Sequence, residues 1–136
     1  MKSMKLTYPA TVEGLSSASE RLNDTLDTEG CPAALKAKLM VAVDEVVSNI
    51  INYSGACEFE VEIAFPRNPE SVRISFSDAG KAFNPLTEAP EADTTSDLNH
   101  RAVGGLGMFM VKKMMDDVNY VYENGRNVLT VHLLRS

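Results

Sequence analysis

The chain has 136 residues, 44% hydrophobic and 24% charged, the balance of one folded domain that buries a core without disulfide or metal staples. Thirteen Lys and Arg against nineteen Asp and Glu leave a net charge of −6. That sign argues against a nucleic-acid surface, and any bound polyanion must be held by local backbone dipoles or a metal ion. No apolar run approaches the roughly 18 residues of a membrane span, the N-terminus turns polar at once, and Cys31 and Cys57 have neither metal nor redox spacing. A cytoplasmic chain with two reduced thiols, on neither membrane nor nucleic acid, is expected.

Residues 5–10 read as a short edge strand. Leu15, Ala18, Leu22 and Leu26 recur at threes and fours, with Ser17 and Glu20 in capping-box relation, so a surface helix is expected to end near Gly30. Pro32 suits the first turn of a second helix and Gly55 its end. Phe59, Val61, Ile63 and Phe65 then alternate with Glu58, Glu60 and Glu62, and Val72, Ile74 and Phe76 alternate with Arg73, Ser75 and Ser77. With Pro66-Arg67-Asn68-Pro69 between them, these runs predict an antiparallel hairpin. A helix over about 106–115 follows, and then a second hairpin turning at Asn124-Gly125. Hairpins with segregated helices predict an α+β two-layer sandwich, one domain over 1–136. Between Asp78 and Gly104 lie about two dozen residues without period, open to reading as a lid or as a plain surface insertion.

Three places carry possible chemistry. On the second helix, Leu39, Val43, Val46, Val47 and Ile50 cluster on one side, while Glu45, Asn49 and Asn52 fall nearly opposite. A carboxylate and a carboxamide at i and i+4 project side by side; Asn can offer Mg²⁺ an oxygen and Glu can deprotonate a nucleophile, although taken alone these residues are better explained as a water-facing helix side. Asp78 ends a strand ahead of Gly80, where a carboxylate can accept a bond from an exocyclic amine, or simply make an Asx turn. Gly104-Gly105-Leu106-Gly107 opens a helix, leaving N–H groups and a positive dipole end for phosphate, or else it is a hinge. It is neither a Walker loop nor a Rossmann fingerprint. Met108, Met110, Met114 and Met115 read as core packing, and His100 and His132 as surface or packing residues.

In order and spacing these motifs resemble those of the GHKL ATP-binding superfamily. Val43-Asp44-Glu45-Val46-Val47-Ser48-Asn49-Ile50-Ile51-Asn52-Tyr53 is similar to its N box, Asp78-Ala79-Gly80 with Phe83-Asn84-Pro85 to its first glycine box, and Gly104-Gly105-Leu106-Gly107 to its second. The short format, and the Met115-Asp116-Asp117-Val118-Asn119-Tyr120 run after an apolar helix, resemble the bacterial anti-sigma-factor serine/threonine kinases; the likeness spans about residues 5–134. It implies the Bergerat fold, with helices on one face of a mixed, mostly antiparallel sheet and a lid over about 81–103. It implies ATP and Mg²⁺ as cofactors, with Asn49 on the metal and Asp78 on adenine. Gly80 and Asn52 would lie beside the nucleotide, Gly104, Gly105, Leu106 and Gly107 would cradle its phosphates, and Glu45 would be the general base. Where such kinases carry Arg before the second glycine box this chain has Val103, so Arg101 is the nearest guanidinium for charge neutralisation.

Two functions follow as expectations. The first is a kinase that phosphorylates a small STAS-type antagonist, with a sigma factor as a further partner, a homodimeric state and transcription regulation as its output. The second is a nucleotide-gated binding module with little or no phosphotransfer.

Overall fold

The computed structural model describes residues 2–88 and 105–135. In chain order the elements are β1 (Lys2–Pro9), α1 (Val12–Thr28), α2 (Ala33–Asn49), a π-helical turn (Ile50–Ser54), β2 (Glu58–Phe65), β3 (Ser71–Asp78), α3 (Pro85–Glu88), α4 (Gly105–Met114), β4 (Asp117–Glu123) and β5 (Arg126–Leu134). The five strands make one sheet in the order β1-β2-β3-β5-β4. The mixed, mostly antiparallel sheet expected from the resemblance is antiparallel in each described ladder. β3 and β4 nevertheless run the same way, because β5 lies between them antiparallel to both.

The period-two runs decide which sheet face is buried. Register stacks Met4, Ile63, Ile74 and Val131 across the sheet, and beside them Leu6, Val61, Phe76 and Leu129. This face packs under α1, α2 and α4 and makes one core with Ala18, Leu22, Leu26, Leu39, Val43 and Val111. The alternate positions carry Lys5, Glu60, Ser75, Thr130 and Arg126 on the other face. There Glu60 pairs with Lys5 at 3.6 Å and with Arg126 at 3.7 Å. The hairpin at Asn124-Gly125 forms as expected, with both residues at positive φ, 54° and 74°.

Three boundaries differ from the sequence reading. α1 starts before the Ser17 and Glu20 pair, which lies inside it. Its N-cap is Thr11, whose Oγ1 accepts the Gly14 N–H at 3.0 Å. The apolar period conceals this start because Val12, in the first turn, is exposed. Pro32 occupies the N-cap position of α2, one residue outside its first turn. The third difference is α3, inside the stretch read as structureless. Asn84 Oδ1 accepts the Leu86 N–H at 2.9 Å, and Glu88 accepts the Asn84 N–H at 2.6 Å, so Asn84-Pro85-x-x-Glu88 caps itself. Among the described residues no helix is long and apolar enough to cross a membrane, and Cys31 and Cys57 are both free.

Candidate functional site

α2 is buried on more sides than its apolar stripe requires, because α1 packs on one flank and α4 on another. Asn49 is therefore only 2% exposed, and the water-facing reading of this edge does not hold for it. Its Nδ2 donates to the Glu45 carbonyl at 2.9 Å, which fixes the carboxamide, while Oδ1 is buried without a hydrogen-bond partner among the described residues. Glu45 Oε2, one turn earlier, is likewise buried and unpartnered. Burial pushes the Glu45 carboxyl above the usual carboxylate range, and the neighbouring Asp44 adds to the rise. Against it lies Gly107, in the first turn of α4, where an added Cβ would overlap the Glu45 carboxyl. Glycine lets the start of α4 approach this edge of α2 so closely.

A second cluster stands at the end of β3. Asp78 is 2% exposed, and its Oδ1 accepts the Gly80 N–H at 2.9 Å and Asn127 Nδ2 at 3.1 Å. Asn127 faces Asp78 directly across the β3–β5 ladder. Its Nδ2 also donates to the Lys81 carbonyl at 2.8 Å, while its Oδ1 accepts the Phe83 N–H at 2.9 Å and the Tyr120 hydroxyl. Burial raises the Tyr120 pKa, which keeps the phenol protonated as a donor. Gly80 is needed on steric grounds as well, since a Cβ there would overlap the Ser54 carbonyl.

Between the two clusters lies a cavity with apolar walls from Val46, Ile50, Phe76 and Leu129, and polar ends at Asn49 and Asp78. Phe83 and Pro85 also line it, and the Phe83 ring stacks on Tyr53 with centroids 4.9 Å apart. The enclosed volume is about 20 Å³, room for about one water. An aromatic base is far larger than this.

The structure thus brings Glu45, Asn49 and Gly107 together in one cluster and Asp78 and Gly80 in another, and of these Asn49 and Asp78 line the cavity. Gly105 opens α4 and Leu106 follows it in the same turn. Arg101, Val103 and Gly104 lie outside the described residues, as does His100. Asn52 is exposed and does not line the cavity. It lies in the π turn after Asn49, whose i→i+5 bonds depart from a constant 100° step. Ser54 comes to line the cavity instead. Asn127, Tyr120 and Ser54 were missed by sequence reasoning. The available signal was the polar Asn127 at an inward position of an otherwise apolar alternation with Leu129, Val131 and Leu133.

A model of the histidine kinase-like ATPase domain matches residues 8–133. The serine-protein kinase RsbW of Listeria monocytogenes is 26% identical over 129 residues, covering 91% of this chain and 82% of that protein. The serine-protein kinase RsbW of Bacillus mycoides is 25% identical over 95 residues, 67% of this chain and 59% of that protein. Among solved structures, the RsbU and RsbW domains of Rv1364c from Mycobacterium tuberculosis superpose with a TM-score of 0.69 at 16% identity, over 98% of this chain and 32% of that longer one. The SiaB–SiaC complex from Pseudomonas aeruginosa superposes with a TM-score of 0.61 at 13% identity, over 96% of this chain and 89% of that one. The two superpositions speak to the fold alone, but the family model spans nearly the whole chain and contains both clusters of the cavity, and on that ground the chain belongs to the histidine kinase-like ATPase family, the GHKL superfamily.

Proposed function

We propose that the chain binds Mg-ATP between α2 and the start of α4, and acts as an anti-sigma-factor-type serine/threonine protein kinase on a small STAS-type antagonist. The observation that carries this reading is the pair of buried, unpartnered oxygens, Asn49 Oδ1 and Glu45 Oε2, beside the first turn of α4. A buried polar atom left without a partner costs about 1–3 kcal/mol. A cation answers the first atom and a donating hydroxyl the second. A neutral amide oxygen is a hard donor of the kind Mg²⁺ takes. Among the described residues no three His, Cys, Asp or Glu gather to hold a metal alone, which suits an ion that keeps phosphate and water as its other ligands.

Bound Mg-ATP supplies the phosphoryl group and the charge that neutralises it. The chain's residues divide the remaining work. Asn49 holds the metal, the N–H groups of residues 104–107 hold phosphate at a helix start, and Asp78 accepts a hydrogen bond from the exocyclic amine of the base. Glu45 takes the proton of the incoming hydroxyl, and its raised pKa makes it a stronger base than an ordinary carboxylate. Arg101 is assigned to the charge that develops on transfer. The relatives named serine-protein kinase support the phosphotransfer, and a neighbour solved in complex with a second protein supports a protein partner. A sigma factor as second partner, a homodimer, a cytoplasmic location and an output in transcription complete the reading.

A nucleotide-gated binding module is the second reading. It is favoured by Val103 where the resembling kinases carry Arg, and by Phe83 and Pro85 in the cavity lining, whose displacement by nucleotide would couple it to partner affinity. Both readings expect Mg-dependent ATP binding that falls in Asn49→Ala and Asp78→Asn; unchanged binding in both variants would remove the site. Transfer of label from ATP to an antagonist protein then separates them. Glu45→Ala should lower transfer about 10²–10⁴-fold while sparing most ATP affinity. Binding without transfer by the wild type leaves the module.

A further inference from the structure

Among the described residues Asn127 is the most fully engaged buried polar side chain. It is 5% exposed, and each donor and acceptor site of its carboxamide is filled: two N–H bonds, to Asp78 and to the Lys81 carbonyl, and two bonds accepted at Oδ1, from the Phe83 N–H and the Tyr120 hydroxyl. These partners come from three places in the chain: the end of β3, the segment after it and the edge strand β4. A residue serving packing alone at this position would be apolar, as Leu129 and Val131 are at the next inward positions of β5.

The arrangement has a directional consequence. Asp78 Oδ1 receives Asn127 Nδ2 and the Gly80 N–H together, so its carboxylate is held from one side by β5 and from the other by the loop. The same carboxamide anchors residues 81 and 83, the segment whose Phe83 and Pro85 side chains line the cavity. Movement of that segment therefore strains the bonds that orient Asp78, and a shift of Asp78 loosens the segment. Buried networks of this kind act as units.

We propose that Asn127 is a positioning residue that couples base reading by Asp78 to docking of residues 81–85, with Tyr120 as its support. The role in base reading rests on the proposed nucleotide function; the coupling itself does not. The test compares wild type, Asn127→Ala and Tyr120→Phe as full-length chains in two measurements. The first is amide hydrogen exchange without nucleotide. In Asn127→Ala the Gly80 and Phe83 amides are expected to exchange about tenfold faster together, the loss of roughly one hydrogen bond, while α1 amides keep their protection and so certify the fold. The second is the ratio of affinities for ATP and for purine riboside triphosphate, which lacks the exocyclic amine. Wild type is expected to prefer ATP, and Asn127→Ala to lose about tenfold of that preference. Faster exchange at Phe83 alone, or an unchanged preference beside faster exchange, overturns the coupling. A wild type that binds neither triphosphate overturns the nucleotide reading and the base-reading role, and the exchange arm then still decides the coupling. Should Asn127→Ala fail to fold, Tyr120→Phe, which removes one bond from Oδ1 and keeps the ring, must show the same paired changes at smaller size; no change in either measurement overturns the proposal.

Discussion

The close approach of Gly107 to Glu45 gives two predictions at the scale of single residues. Gly107→Ala places a methyl group on the Glu45 carboxyl and should destabilise the fold by about 1–3 kcal/mol, the cost of overpacking. Thermal melts should show this loss shrinking when Glu45→Ala is added, because the shorter side chain vacates the space. Equal losses in both backgrounds would mean that the start of α4 yields by itself. The second prediction concerns charge. A carboxyl whose folded pKa is raised favours the folded chain when protonated, so its contribution is full below the ordinary glutamate range and is lost as pH rises through the higher folded value. Glu45→Gln removes that loss. Its melting temperature relative to wild type should therefore climb between acid and neutral pH. A flat difference across that range would argue that Glu45 Oε2 is solvated after all.

At the scale of elements, α2 shows both the reach and the limit of periodicity. The spacing of Leu39, Val43, Val46 and Val47 marked a buried stripe, and all four are core residues. The same helical wheel grouped Asn52 with Glu45 and Asn49; Asn52 falls in the π turn at Ile50–Ser54, where a constant 100° step no longer applies, and it is exposed. Nothing in Ile50-Ile51-Asn52-Tyr53-Ser54 announces a π turn, because its cause is tertiary. Within it, Ser54 Oγ accepts the Ala56 N–H, and the Ser54 carbonyl accepts the Lys81 N–H from the loop beyond β3. The short α3, by contrast, rests on a local capping pattern, Asn84-Pro85-x-x-Glu88, which the absence of an apolar period hid from the sequence reading. Caps are local chemistry and can be tested locally. Thr11→Ala removes the acceptor for the Gly14 N–H and should cost about 1 kcal/mol, read as a lower denaturant midpoint at unchanged slope. A change in slope instead would show that α1 and β1 separate before the rest unfolds.

For the whole molecule, the sheet order makes one cavity from distant parts of the chain. β5 enters between β3 and β4, which sets Asn127 opposite Asp78 although they are far apart in sequence. A ligand that bridges the two polar ends should therefore stabilise the entire domain. Under the proposed function, Mg-ATP at 100 times its Kd should add about 2.7 kcal/mol, read as a rise in melting temperature. Asn49→Ala should lose the Mg-dependent part of that rise while keeping the part due to nucleotide alone. A rise that ignores Mg²⁺ in the wild type would detach Asn49 from the metal.

The sequence by itself determined the two-layer α+β class, the hairpins, the buried stripes and the candidates Glu45, Asn49, Asp78 and Gly107, because periodicity, turn chemistry and motif order are local properties of a chain. Tertiary structure alone decided that Asn49 is buried rather than wetted, and that Asn127, Tyr120 and Ser54 join the cavity. The physical reason is the same in each case. Burial of a polar atom, and the bond that compensates it, depend on which surfaces meet: α4 on α2, β5 beside β3, and the loop after Asp78 on Ser54. One-dimensional spacing carries no record of those meetings.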